Sequence, residues 1–161
     1  MIKKHKKFRR PKHSFDSSRI KSEDLIVAKY GLKNKKEIWK AKAKLDQIRS
    51  RAKKLANLND EEKEKFIKKT SKMGYNVKTI IDILALTEED ILNRRLQTIV
   101  FKCGIATTPN GARQLVTHKK ILVNKKIVNV PSYQISIDEE NKIEKKLNNK
   151  IHKKELNKEV I

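Results

Sequence analysis

The stretch from Leu92 to Tyr133 constrains this chain more than any other, because it dictates a fixed order of short elements. Arg94, Arg95 and Leu96 fall on a first helix that starts at Thr87 to Asp90. Its apolar side is Ile91, Leu92, Leu96, Ile99 and Val100, and Gly104 is placed to cap its end. Thr108 followed by Pro109 predicts a second helix, because proline at the first helical position lacks only an N–H that would have no partner anyway. Ala112, Leu115 and Val116 form that helix's apolar side. Ile121 to Asn124 reads as a strand. Ile127, Val128 and Val130, then alternating Tyr133, Ile135 and Ile137, read as further small strands. The order predicts an α+β unit over residues 88–137.

The preceding part is helical by pattern. A short helix is expected over Ser22 to Lys29, stopped near Gly31. Asn34 with Glu37 three residues on resembles a capping box and opens a stronger helix. Ile38, Ala41, Leu45, Ile48, Ala52 and Leu55 then recur three and four apart, giving one apolar stripe. Trp39 adjoins the stripe and reads as a packing residue rather than a platform for bases. Asn59 to Glu62 repeats the cap and opens a helix through Phe66 and Ile67 to Gly74. Past Asp138, Ile143, Leu147 and Ile151 lie four apart behind a run of acids, which predicts a marginal terminal helix. The predicted fold is therefore α+β, a helical N-terminal half packed with a module of two helices and a small antiparallel sheet. The predicted divisions are an arm at 1–21, a helical region at 22–87, the module at 88–137 and a charged tail at 138–161.

Charge then narrows the partner. Lys and Arg number 41 against 19 acids in 161 residues, a formal net charge of +22. Such a chain repels itself and implies a polyanion. No apolar run approaches membrane-spanning length, and the basic N-terminus lacks the apolar region of a signal peptide, so nucleic acid is favoured and no membrane partner is expected. Cys103 stands alone, which excludes an internal disulfide or a cysteine-built zinc site, and it is expected to be a buried small hydrophobe. The four histidines are scattered, so neither metal nor cofactor is expected, and the compartment reads as reducing and cytoplasmic.

The candidate RNA contacts follow from where cations fall. Lys3, Lys4, Lys6, Lys7, Arg9, Arg10 and Lys12 form an arm with no acid before Asp16. Such an arm buries too little to order itself and is expected to be disordered until RNA binds. Lys40 lies off the stripe of its helix. Arg94 and Arg95 are adjacent on the first module helix, so one is expected to meet phosphate while the other pairs internally. Thr108, Arg113 and Gln114 sit at the start of the second helix, where amides and a planar guanidinium suit phosphate. The competing reading pairs Arg113 or Arg95 with Glu88, Glu89 or Asp90. His118, Lys119, Lys120, Lys125 and Lys126 extend the surface to the hairpin. A rigid basic face of this kind reads backbone shape, since side chains cannot enter the narrow major groove of A-form RNA.

The basic, apolar, glycine and cap positions of Leu92–Tyr133 together resemble the S-four RNA-binding module. Arg10 to His13, Lys29 to Lys35, Ile38 to Ala41, and Leu84 to Thr87 resemble the archaeal and eukaryotic branch of the ribosomal protein S-four family. That resemblance implies a structural, non-enzymatic constituent of the small ribosomal subunit. It implies a primary binder of the ribosomal RNA 5′ domain that nucleates assembly. It also implies a place beside ribosomal proteins S-five and S-three, near the channel through which messenger RNA enters. The family usually has an acid at Asn93 and often glycine at Lys119 and Lys125. A residue with a β-carbon resists positive φ, so the turn geometry at those lysines is open. Rival readings are an RNA-modifying enzyme or a free RNA chaperone or ribosome-rescue factor carrying the same module. The first would need a catalytic domain, and the remaining residues show no nucleotide loop, acid dyad or nucleophile–base pair.

Overall fold

A computed structural model describes residues 7–57 and 59–146. The helical half comprises α1 (Ser17–Tyr30), α2 (Lys36–Leu55), α3 (Asp60–Lys72), α4 (Ile80–Ala85) and α5 (Glu88–Asn93). The module follows with α6 (Leu96–Lys102), α7 (Pro109–Thr117), β1 (Ile121–Val123), β2 (Lys126–Ile127), α8 (Ile137–Glu140) and β3 (Ile143–Lys145). The α+β class holds.

Helix α1 begins earlier than the sequence pattern predicted because Asp16 caps it, its carboxylate accepting from the amides of Ser18 and Arg19. It ends at Gly31, whose φ of +58° costs a residue without a β-carbon least. The same glycine lets α7 approach: a β-carbon there would lie 2.7 Å from Asn110 Oδ1. Neither Asn34 nor Asn59 caps with its side chain. Instead α4, α5 and α8 carry capping boxes, Thr79 with Asp82, Thr87 with Asp90 and Ser136 with Glu139.

The expected first module helix is two helices. Arg94 ends α5, and Arg95 is extended at φ −77°, ψ 143° before α6 starts. The returning segment 133–135 causes the break. Leu96 N donates to Tyr133 O at 2.7 Å and Ile135 N donates to Arg94 O at 3.0 Å, with a single bridge between Arg95 and Gln134. These bonds use backbone groups that a continuous helix would have kept. Tyr133 to Ile137 is accordingly not a sheet strand, and Ile137 opens α8. The sheet has the order β2-β1-β3, with β1 antiparallel to both neighbours. Ile143, predicted on a terminal helix, pairs with Val123 in β3. Leu147 and Ile151 lie outside the described residues.

Two cores result. Ile38, Ala41, Leu45, Ala52, Ile83, Ile91 and Leu92 belong to the first. Leu96, Ile99, Val100, Ala112, Val116, Ile121, Val123 and Ile135 belong to the second. The change of core coincides with the α5–α6 break. Cys103, at the end of α6, is exposed and not a core residue as expected. At the β1–β2 hairpin Asn124 and Lys125 have φ of +51° and +62°. A two-residue loop between Val123 and Lys126 with both φ positive is a type I′ turn, so Lys125 adopts a geometry that glycine favours. Lys119 does the same at +58° after α7, where Lys120 N donates to Leu115 O and Lys119 N to Val116 O.

Candidate nucleic-acid interface

The halves meet at one acid. Glu37, in the first turn of α2, accepts from Lys33 N at 3.3 Å just before the helix and turns its carboxylate mainly to the module. It accepts from Arg95 Nη2, and from Arg113 through Nη2 at 3.0 Å and Nη1 at 3.3 Å. Arg113 Nη1 also donates to Gln97 Oε1 at 3.2 Å. Gln97 Nε2 reaches the carbonyls of Tyr30 at 2.9 Å, Gly31 at 2.8 Å and Pro109 at 3.1 Å. Burial alone would raise the Glu37 carboxyl, but hydrogen bonds from Arg113 and Arg95 outweigh it and hold the group below the usual glutamate range. Arg95 is only 5% exposed. Arg95 and Arg113, both expected to meet phosphate, each pair with an acid, and the Arg113 side chain stays 22% exposed. Both sit in an internal network, and their partner is Glu37, not Glu88, Glu89 or Asp90. The reason is the backbone break, which turns Arg95 inward toward α2.

A second tie lies alongside. Lys44 Nζ donates to Gln134 Oε1, as does Tyr75 Oη at 3.0 Å, while Gln134 Nε2 donates to Ile91 O at 3.3 Å. Burial lowers the Lys44 ammonium and raises the Tyr75 phenol to about 12. Arg94 is also committed internally. Its Nη1 pairs with Glu140 Oε2 at 2.8 Å and its Nη2 donates to Ile135 O at 3.0 Å. It lies against Gly74 (φ +86°), where a β-carbon would collide with the guanidinium. Both members of the Arg94–Arg95 pair thus have acidic partners, where only one was expected to pair internally.

Between these ties runs a cleft of about 760 Å³. Lys36, Lys40 and Lys44 of α2 form one wall, segment 131–134 the other, and Arg95 and Arg113 reach it from below. Lys40 is exposed, as are Gln114, His118, Lys119, Lys120, Lys125 and Lys126. Thr108 is exposed but its hydroxyl is engaged, accepting from Gly111 N at 3.0 Å as the cap of α7. Lys7, Arg9, Arg10 and Lys12 are exposed along the arm, and Lys3, Lys4 and Lys6 lie outside the described residues. In the described part of the arm, the Phe8 ring lies tilted against Trp39 with centroids 6.0 Å apart, and Pro11 is half-buried. The sequence reading missed Lys36, Gln97, Gln134 and the role of Glu37. Gln97 carried a usable signal, a polar residue inside the apolar run Leu96 to Val100.

Among the described residues no helix is long and apolar enough to cross a membrane. A family model for the S4 domain matches residues 94–141. The chain is 44% identical over 149 residues to small ribosomal subunit protein uS4 of Saccharolobus solfataricus, spanning 88% of this chain and 82% of that protein. It is 43% identical over 148 residues to small ribosomal subunit protein uS4 of Thermoplasma volcanium, spanning 86% and 74%.

Proposed function

The chain belongs to the small ribosomal subunit protein uS4 family, and from that premise we propose that it is a structural, non-catalytic component of the small ribosomal subunit in the cytoplasm. Its ligand is small-subunit ribosomal RNA. In the finer reading it binds the 5′ domain early, nucleates assembly there, and lies beside ribosomal proteins S-five and S-three near the path of incoming messenger RNA. The observation that carries this reading is the cleft: lysines of α2 face it, and buried ion pairs fix both halves around it. Two halves held rigidly present one cationic face, which suits a junction of helices better than a flexible strand. Of the arginines singled out in the module, none is proposed as a primary phosphate ligand. That role falls to Lys36, Lys40, Gln114, His118, Lys119, Lys120, Lys125 and Lys126, with Lys7, Arg9, Arg10 and Lys12 of the arm. The proposed working divisions keep the order arm, helical region, module and tail, but the expected boundaries at 22, 88 and 138 move to the elements: α1 starts at Ser17, α5 ends the helical half at Asn93, and the module takes in α8 and β3 to Lys145.

The test is binding to an isolated 5′-domain transcript with transfer RNA as competitor. Affinity for the transcript should exceed that for transfer RNA and fall by roughly 10³ or more between about 50 and 200 mM salt. Equal affinity for both RNAs would refute a specific binder. Stoichiometric co-sedimentation with small subunits separates the ribosomal reading from a free chaperone.

A further inference from the structure

A second groove, of about 1100 Å³, lies between the arm, α1 and α2. Its lining is unusual for a surface that meets phosphate, because it includes a buried carboxylate. Glu23 is 7% exposed. Its Oε1 accepts from Trp39 Nε1 at 2.9 Å and from Arg19 Nη1 at 2.9 Å. Its Oε2 is buried with no hydrogen-bond partner among the described residues, and the same is true of Arg19 Nε in the same ion pair. A buried carboxylate oxygen and a buried guanidinium N–H left unmade are costly, and each waits for a complementary group.

The surroundings decide which group. Lys7, Arg9, Arg10, Arg51 and Lys54 line the groove, against Asp46 and a Glu88 that already pairs with Lys42 at 3.6 Å. These cations disfavour a metal ion or an amine beside Glu23, and the carboxylate disfavours an inorganic anion. A neutral donor on a molecule whose charge is negative elsewhere suits both, and an RNA base has that form. Trp39, half-buried with Phe8 against it, adds aromatic surface on which a base can stack. The arm forms the outer wall: residues 7–11 have no regular element and meet Trp39 through the Phe8 ring, the contact that a stacking base would replace.

We propose that this groove holds an unpaired purine of the bound RNA, its exocyclic amino group donating to Glu23 Oε2 and an adjacent ring nitrogen accepting from Arg19 Nε. The cations of the groove take the flanking phosphates. The proposal rests on the RNA-binding reading above and adds a base-selective site to a surface that otherwise reads shape.

Trp39 is the only tryptophan in the chain, so its fluorescence reports on this groove. The full chain would be titrated with five-nucleotide RNAs of uridines carrying one central adenosine, purine riboside or uridine. Purine riboside keeps the stacking face of adenine and lacks the amino group, and the three RNAs have the same charge, so the non-selective attraction cancels. The adenosine oligonucleotide should quench Trp39 and bind about tenfold more tightly than the purine riboside one, on the scale of a hydrogen bond to a charged group. Glu23→Gln should abolish that difference by lowering the affinity for the adenosine oligonucleotide about tenfold, while the affinities for the purine riboside and all-uridine oligonucleotides, followed by anisotropy, change far less. Equal affinity for adenosine and purine riboside in the unaltered protein would overturn the proposal even if the variant fails to fold. Retained 5′-domain binding alongside that equality would sink this site alone; loss of 5′-domain specificity would sink the functional reading beneath it.

Discussion

The helical half and the module solve the problem of stability differently. In the former, α2 runs from Lys36 to Leu55 and buries Ile38, Ala41, Leu45 and Ala52 on one stripe, against which α4 and α5 pack. Helix α2, at 20 residues, is long enough to carry its own pattern and to give the short α4 and α5 a surface to pack on. In the module, α6 runs only from Leu96 to Lys102, α7 from Pro109 to Thr117, and β1 and β3 have three residues each. Elements this short are not stable alone in water. They are held by side chains that bond backbone: Thr98 Oγ1 to Leu92 O at 2.8 Å, and Gln97 to three carbonyls, two of them in the other half. The module thus borrows order from its neighbour through a few buried polar contacts. Changes at those contacts should cost it more than they cost the helical half.

The sharpest way to break the comparison is Glu37→Ala. It leaves Arg95 buried without its counter-charge and should destabilise the protein by about 3–5 kcal/mol in urea unfolding. Amide exchange should rise in α6 and α7 before α2. Uniform loss across both halves would mean that they form one cooperative unit without a dependent partner. The same residue gives a pH signature. Its folded carboxyl lies below the unfolded value of about 4.3, so its stabilisation is present above that pH and is lost as pH falls through the folded value. The unaltered protein should lose stability with acid more steeply than Glu37→Gln.

Gln97→Ala comes next, at about 2–3 kcal/mol, since it strands buried carbonyls on α1 and at Pro109. If melting is unmoved, water replaces the amide and Gln97 is no tie. Arg113→Ala should cost about 1–3 kcal/mol, less than Glu37→Ala because Arg95 keeps its acid. Affinity of the folded variant for RNA should change less than its melting temperature does. The reverse result would restore Arg113 as a phosphate ligand. The smallest effect is a gain. Lys125→Gly relieves a positive φ at the cost of a freer unfolded chain and should stabilise the hairpin by roughly 0.5 kcal/mol. It should also flatten the salt dependence of RNA binding by about one counterion if Lys125 touches phosphate. An unchanged slope would remove that lysine from the interface.

Much of this was legible beforehand. The stripe of α2, the Thr108–Pro109 start of α7, the Gly31 stop, the β1 strand and the α+β order all follow from local rules about spacing, caps and backbone freedom, which need no knowledge of distant residues. Charge and residue pattern together pointed to RNA. What the tertiary structure alone decided was the fate of individual polar side chains and of ambiguous short segments. Arg94 and Arg95 looked like a surface pair on one helix until segment 133–135 returned and bonded their backbone, turning both guanidiniums inward. Ile143 had helical spacing but entered a strand because β1 had an open edge beside it. Asn34 and Glu37 had the right spacing for a cap, yet Glu37 is worth more to two arginines from the other half than to its own helix end. A cap contributes about 1 kcal/mol, whereas leaving a buried guanidinium unpaired costs several. The stronger of these two effects arises only after residues distant in sequence have met, so no local reading of the chain could weigh it.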